Sequence, residues 1–259
     1  MTDTIRSPRL IIRNGHVLDT ATMSYTDRRS VVVEDGMIVE SDGADDLRAG
    51  DTVVDATGCF VVPGLIDGHV HFRLATLDFR SLANWSEVEF GIAMASLAQA
   101  TVERGFTTVR DLGGDVNGLM RAIRRGVATG PRIVRAGLML TQTGGHGDTR
   151  SGEIEVATCG CALDSNVMSI VADGCDAVRK AARHLLRDGS DFLKIHVSGG
   201  VASPRDPLES VQYTPDEIRA AVVEAEHRQT YVSAHAYTPE AITMAVRAGV
   251  HCIEHGNLV

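Results

Sequence analysis

Two histidines, His69 and His71, follow an apolar run in the segment Val61 to Phe72, VVPGLIDGHVHF. Side chains two residues apart on a β-strand share a face, so the two imidazoles would leave one strand end on the same side. Imidazole nitrogens are common ligands of transition metals. The same pair could be an ordinary surface pair, so a metal site depends on what else reaches this place.

Further side chains with metal-binding or proton-transfer chemistry occur in later predicted strands. They are Lys194 and His196 in the predicted strand 191–197, His235 in 231–236 and His255 in 250–255. In a parallel barrel the carboxyl ends of the strands meet at one face, which carries the active site. The recurrence of these residues at strand ends therefore favours a metal centre.

Lys194 stands out because the pattern of its strand, FLKIHV, would point it into a barrel interior. An ammonium without a partner is costly there. One interpretation is an ion pair with a carboxylate such as Asp111 or Glu254. The other is a lysine neutralised by carbon dioxide to a carbamate, whose two oxygens can bridge two metal ions.

Strands and helices alternate along residues 61–259, which predicts an α/β fold with a parallel sheet. The predicted strands are Val61–Phe72, 106–111, 132–140, 191–197, 231–236 and 250–255, and the predicted helices are 84–104, 115–128, 175–187, 214–228 and 238–248. Six strands fit an open doubly wound sheet or an unfinished eight-stranded barrel. A GxGxxG motif does not follow the first strand, which disfavours a dinucleotide-binding sheet. A phosphate-loop motif is likewise absent from the sequence.

Residues 1–60 have a different pattern and are predicted to form a small β domain before the 61–259 barrel domain. Asp35-Gly36 joins two β-branched runs in 30–40, which is typical of a β-hairpin. Further strands are predicted at 9–18, with an Asn-Gly turn inside, and at 52–55. These strands are too few to close a sandwich alone.

Composition limits the function classes. The 259 residues match the roughly 250 of an α/β barrel. A net charge of −9 argues against nucleic acid or an anionic membrane surface as a partner. The sequence has no apolar run of the roughly 18 residues that a membrane span needs, and its first residues do not resemble a signal peptide. Five scattered cysteines favour a reducing cytoplasm, and the Cys159/Cys161 pair is only a weak metal or redox signal.

Several motifs together resemble the amidohydrolase superfamily of metal-dependent hydrolases. They are PGLIDGHVH at 63–71, RNGHVLD at 13–19, VVVEDGMI at 31–38, TGGHGD at 143–148, LKIHVSGGV at 193–201 and SAHAY at 233–237. The last three are most similar to the branch of Xaa-Pro and Xaa-Arg dipeptidases and imidazolonepropionase relatives. The resemblance implies a TIM-like (β/α)8 barrel with a small N-terminal β-sandwich subdomain.

The same resemblance implies a binuclear site, most often zinc, and hydrolysis of a carbon–nitrogen bond by metal-activated hydroxide in a small amide or dipeptide. His69 and His71 would bind one ion, carboxylated Lys194 would bridge both, and His235 and His255 would bind the second. His146 and Tyr237 match positions expected to contact the substrate carbonyl or carboxylate. His196 would line the pocket or donate a hydrogen bond to a group that binds the metal.

One departure from the family pattern concerns its final ligand, an aspartate at the end of the eighth strand. The sequence stops at Val259, just past the sixth predicted strand, so the expectation is a C-terminally truncated barrel with six of eight strands. Unpaired strand edges would favour homo-oligomers or aggregation, and folding and activity of this chain stay open.

Other interpretations remain at this stage. The long segment Thr141 to Asp173 would be a lid or specificity loop, or a disordered insertion. Arg150 and Arg205 would bind a substrate carboxylate, although exposed arginines usually have no such role. A mononuclear deaminase-like or imidazolonepropionase-like hydrolase is a rival, against which Lys194 counts, and a non-catalytic metal-binding remnant is another.

Overall fold

The computed structural model describes residues 8–39, 47–76, 79–82, 84–149, 168–203 and 206–259. Four positions considered above, Arg150, Cys159, Cys161 and Arg205, lie outside these ranges, as does most of the predicted lid loop. The chain divides into two compact units, Met1–Gly64 and Leu65–Val259. Across the described ranges, no helix combines the length and apolar character needed to span a bilayer.

The first unit is one five-stranded sheet. Its strands are β1 (Arg9–Asp19), β2 (Ser24–Glu34), β3 (Met37–Val39), β4 (Thr52–Asp55) and β5 (Phe60–Val61), in the order β3-β2-β1-β4 with β5 also paired to β1. The hairpin β2–β3 turns at Asp35 and Gly36, whose φ angles of 51° and 76° suit an Asp-Gly pair. The predicted Asn-Gly turn is instead an irregularity within β1, which continues past Gly15.

The hydrophobic core of this first unit is thin, because Ile11 and Val32 are its only buried cluster among the described residues. Ile38 and Val54, both apolar, stay exposed on the sheet. The described part of the unit shows a single sheet and no second layer, so the β-sandwich stays a prediction.

The second unit alternates strands and helices and confirms the α/β class. Its elements are β6 (Leu65–Val70), α1 (Phe79–Leu82), α2 (Glu87–Glu103), β7 (Phe106–Asp111), α3 (Asn117–Arg124), β8 (Arg132–Arg135), β9 (Met139–Thr141), β10 (Ser169–Val171), α4 (Cys175–Arg187), β11 (Leu193–His196), α5 (Pro215–His227), β12 (Val232–Ala236), α6 (Pro239–Arg247) and β13 (Cys252–His255). Every strand pair in this unit is parallel.

These strands form two sheets, β6-β7-β8 and β10-β9-β11-β12-β13, and the described strands do not close into a barrel. The prediction of one strand over 132–140 was wrong. Gly137 has a φ of 77°, which interrupts the extended chain, so β8 pairs with β7 while β9 pairs with β11. Strand β10 was missed inside the predicted loop because three residues are too short to show an alternating pattern.

Helices cover the larger sheet and bury its central strands. Every position of β11 and β12 is buried, as expected for parallel strands covered on both faces. The predicted N-cap of α5 is confirmed: Thr214 and Glu217 form a capping box, and Pro215 opens the helix. This rigid sheet fixes the ends of β11 and β12, where candidate ligands lie.

Candidate metal centre

Neighbouring strand ends bring the candidate residues to one place. The parallel register sets His196 opposite His235, and Ala236 opposite His255. Imidazole rings then contact one another in a chain: the centroid of His235 lies 4.6 Å from that of His255, which lies 4.8 Å from that of His69. Residues from β6, β12 and β13 therefore form one cluster.

His69 and His71 face each other through their Nε2 atoms, which lie 3.3 Å apart. Nδ1 of His69 lies 2.8 Å from Oε2 of Glu254, and Nδ1 of His71 lies 3.4 Å from the carbonyl oxygen of Gly113. Carboxylate and carbonyl oxygens only accept hydrogen bonds, so both Nδ1 atoms carry the proton. Each Nε2 is then left with a lone pair directed at the other.

Two lone pairs so close repel each other unless a proton or a metal ion lies between them. Zinc binds imidazole nitrogen at about 2.0–2.1 Å, and two such bonds at a tetrahedral angle separate the nitrogens by about 3.3–3.4 Å. The observed separation of 3.3 Å meets that requirement. The pair therefore fits a metal ion in tautomer and in spacing.

Glu254 is the residue that fixes His69, and sequence patterns gave it only as a partner for Lys194. Besides His69 it accepts hydrogen bonds from Arg110, at 3.0 Å, and from the hydroxyl of Ser233. Adjacent strand residues normally face opposite sides. His255 has a φ of 73°, which breaks the alternation at the end of β13, so Glu254 and His255 both reach His69.

His235 is fixed in a complementary way. Its Nε2 lies 3.0 Å from the carbonyl oxygen of Gly199 and donates to it, which leaves Nδ1 as the nitrogen with the free lone pair. Tyr237 lies beside it, with its ring stacked on His255 at 5.3 Å and edge-on to His235 at 5.1 Å. The structure thus places His235, His255 and Tyr237 together.

Lys194 is almost fully buried on β11, and its Nζ has no hydrogen-bond partner among the described residues. The ion-pair interpretation is therefore not supported: Asp111 accepts from backbone N–H groups, and Glu254 from the side chains named above. Burial lowers the pKa of Lys194 to about 7, against the opposing charge of Glu254. A free amine is thus available near neutral pH.

Burial keeps four histidines near Lys194 neutral at neutral pH by lowering their pKa values. Burial, helped by the neighbouring His69, lowers the pKa of His71 to about 3, and burial with nearby Lys194 lowers that of His255 to about 4. Burial also lowers the pKa values of His235 and His196. Neutral imidazole is the form that binds metal ions.

His196 and His146 complete the group of rings. His196 is buried, with its Nδ1 unpartnered in the described structure, and lies 5.2 Å from His235 and 5.3 Å from His146 by ring centroids. His146 stacks on His235 at 4.3 Å. Its Nδ1 lies 3.1 Å from Asp206, a partner that the sequence gave no signal to find.

As they stand, no three His, Cys, Asp or Glu side chains in the described ranges are arranged to hold a metal ion. The His69–His71 pair already has ligand spacing. The lysine carbamate expected from the sequence is a further type of ligand, different from these four side chains. The remaining imidazoles pack ring against ring. The donor set fits divalent metal ions by its chemistry.

Comparison with known proteins places the chain in a family. The model of the amidohydrolase family matches residues 60–259, which include every residue of the cluster. The chain belongs to the amidohydrolase family. This family membership agrees with the resemblance that the sequence motifs indicated.

The proteins similar to this chain include an ochratoxinase, a prolidase and a Xaa-Pro dipeptidase. The chain is 32% identical over 210 residues to ochratoxinase from Aspergillus niger, which covers 75% of this chain and 43% of the relative. A solved prolidase complexed with N-methylphosphonate-L-proline is 42% identical, with a TM-score of 0.86, over 97% of this chain and 62% of its own. A Xaa-Pro dipeptidase with bound methionine is 30% identical, with a TM-score of 0.77, over 96% of this chain and 61% of its own. The chain thus spans less than two thirds of the length of these relatives.

Proposed function

We propose that this amidohydrolase is a metal-dependent hydrolase that cleaves the carbon–nitrogen bond of a small amide or dipeptide, with Xaa-Pro dipeptides as the first substrate class to test. The observation that carries the proposal is the buried Nζ of Lys194, which lies beside the converging histidines and has no hydrogen-bond partner among the described residues. The names of the prolidase and Xaa-Pro dipeptidase relatives support the substrate class.

In the proposed site, His69 and His71 would hold one divalent ion, His235 and His255 would hold a second, and carboxylated Lys194 would be a ligand shared by the two. Zinc is the proposed metal, because neutral imidazole nitrogens suit it and the Nε2 spacing of His69 and His71 matches its bond length. Divalent ions in such centres polarise a carbonyl group and lower the pKa of water.

The protein groups around the proposed ions have separate tasks. Glu254 holds His69 in the tautomer that presents Nε2, and the Gly199 carbonyl holds His235 in the tautomer that presents Nδ1. His146 and Tyr237 are proposed to contact the substrate at its carbonyl or carboxylate end, since both rings stack on the histidine cluster, and the Tyr237 hydroxyl can donate a hydrogen bond to either group. Donors preplaced around a carbonyl stabilise the negative charge that develops on its oxygen.

We propose a β domain over 1–60 and a barrel domain over 61–259, and the division of the chain at Gly64 lies close to that boundary. Cys59, Cys175 and Cys252 are free thiols, which suits the proposed reducing cytoplasm.

The test is hydrolysis of Xaa-Pro and Xaa-Arg dipeptides by the zinc-loaded chain, with and without a chelator. The proposal expects turnover that chelation abolishes and zinc restores, and that is lost in His69→Asn. Bound metal without turnover would favour the non-catalytic metal-binding alternative. Release of ammonia from aminated purines with no peptide cleavage would favour the mononuclear deaminase-like alternative.

A further inference from the structure

His146 is held at two points from one neighbouring loop. Its ring Nδ1 lies 3.1 Å from Oδ2 of Asp206, and its backbone N–H donates to Oε1 of Gln212 at 2.9 Å. The face of the ring packs on His235, with an interplanar angle of 20°. Side chain and backbone are thus both anchored next to the proposed metal ligands.

Asp206 is itself immobilised. Besides His146, its Oδ2 accepts hydrogen bonds from the backbone N–H of Gly200 at 3.1 Å and from Nε2 of Gln212 at 3.2 Å. The Asp206 side chain is 2% exposed. Gln212 accepts from the backbone of His146 and donates to Asp206, which fixes the direction of its amide. The carboxylate therefore has one orientation towards the ring.

Gly200 leaves room for the ring in that orientation. A Cβ atom at this position would lie 2.2 Å from Cε1 and 2.5 Å from Nε2 of His146. Any side chain larger than hydrogen would displace the imidazole. Gly200 thus supplies the space for His146, and Asp206 supplies its hydrogen-bond partner.

We infer that Asp206 is a positioning residue that holds His146 in the Nδ1–H tautomer and presents its unprotonated Nε2, a hydrogen-bond acceptor, to a bound substrate. A carboxylate only accepts, so the proton of this hydrogen bond belongs to Nδ1. Nε2 has no hydrogen-bond partner in the described part of the chain and is the nitrogen left for a ligand. The substrate contact rests on the proposed function, whereas the tautomer depends on the Asp206 contact alone.

The tautomer is tested by ¹⁵N NMR of the zinc-free protein, with His146→Asn to assign the ring signals. Wild type and Asp206→Asn, which retains an acceptor oxygen, are expected to show Nδ1–H. Asp206→Ala is expected to lose that preference. An unchanged Nδ1–H signal in a folded Asp206→Ala protein would overturn the inference, as would Nε2–H in wild type.

Kinetics of the zinc-loaded protein on Xaa-Pro dipeptides test the consequence. Asp206→Ala is expected to lower kcat about 100-fold, the scale of a positioned proton-transfer or hydrogen-bonding group, with metal content unchanged and KM within about threefold. Asp206→Asn should recover part of kcat. Asp173→Asn is the matched control, because Asp173 accepts hydrogen bonds from Thr143, which lies in the same loop as His146.

An unchanged kcat in folded Asp206→Ala would overturn the positioning role. Thermal unfolding shows whether both Asp206 variants fold. If Asp206→Ala does not fold, the kcat of Asp206→Asn relative to wild type provides the kinetic test. Wild type that hydrolyses none of the dipeptides would contradict the proposed function, and the NMR measurement would still decide the role of Asp206.

Discussion

Strands β11 and β6 both carry proposed metal ligands, but their surroundings differ. All four residues of β11 are buried, whereas Leu65, Ile66 and Gly68 of β6 are exposed. Strand β11 is held by a large hydrophobic cluster that includes helices α4 and α5. At the His69 end of β6, Glu254 on β13 adds a polar contact to the apolar packing of Val70. A ligand can therefore be positioned by apolar packing or by a hydrogen bond across the site.

The largest expected effect contrasts the two strands directly. Ile195→Ala in β11 removes a fully buried side chain, and should lower the unfolding free energy by about 2–5 kcal/mol. Ile66→Ala in β6 changes a side chain that is 70% exposed and should cost no more than about 0.5 kcal/mol. Urea denaturation of the metal-free variants measures both. Equal losses would contradict the contrast.

The polar contact is tested by Glu254→Gln, which keeps the shape of the side chain but removes its charge. His69 would then lose its charged acceptor, and zinc affinity should fall about 10–100-fold, the scale for residues that orient metal ligands. Competition with a chromophoric chelator measures the affinity. Glu240→Gln, at an exposed glutamate on α6, is the matched control, and equal affinities in both variants would remove Glu254 from the account.

The smallest effect concerns helix caps. Burial raises the pKa of Glu217, but hydrogen bonds from the backbone of Thr214 and Gly174 outweigh it, so the pKa lies below its ordinary value of 4.5. A carboxyl whose pKa is lowered in the folded state adds stability above pH 4.5 that is lost as the pH falls. The unfolding free energy of wild type should exceed that of Glu217→Gln by about 1 kcal/mol at pH 6. The difference should become smaller at lower pH.

Glu89 caps α2 beside the smaller sheet in the same way, and its pKa is also lowered by hydrogen bonds from Ser86. Glu89→Gln should therefore show the same pH trend as Glu217→Gln. Urea denaturation of wild type and both variants at a series of acidic pH values measures the unfolding free energies that check this. Opposite trends would mean that the helix caps beside the larger and the smaller sheet differ, as the burial of strands β11 and β6 does.

Sequence patterns predicted the parts of this molecule that depend on periodicity and short motifs. The alternation of strands and helices, the Thr214 cap and the Asp35-Gly36 hairpin are all present. The spacing of His69 and His71 predicted that they share a face, and their Nε2 atoms do meet. The metal-binding role itself stays a prediction.

The contacts that orient these histidines could not be predicted, because they join residues far apart in sequence. Glu254 reaches His69 across 185 positions and Asp206 reaches His146 across 60. Glu254 and His255 both contact His69 because His255 has a positive φ angle, which a strand pattern does not reveal. Strand β10 was missed because it has only three residues.

The central claim is that these residues form a metal centre that needs Lys194. It is tested most directly by the metal content of the zinc-equilibrated, purified chain, measured by mass spectrometry beside Lys194→Met and the exposed-lysine control Lys180→Met. The account predicts about two zinc ions per chain in wild type and Lys180→Met, and fewer than one in Lys194→Met. Wild type without bound zinc, or Lys194→Met with the wild-type content, would contradict it.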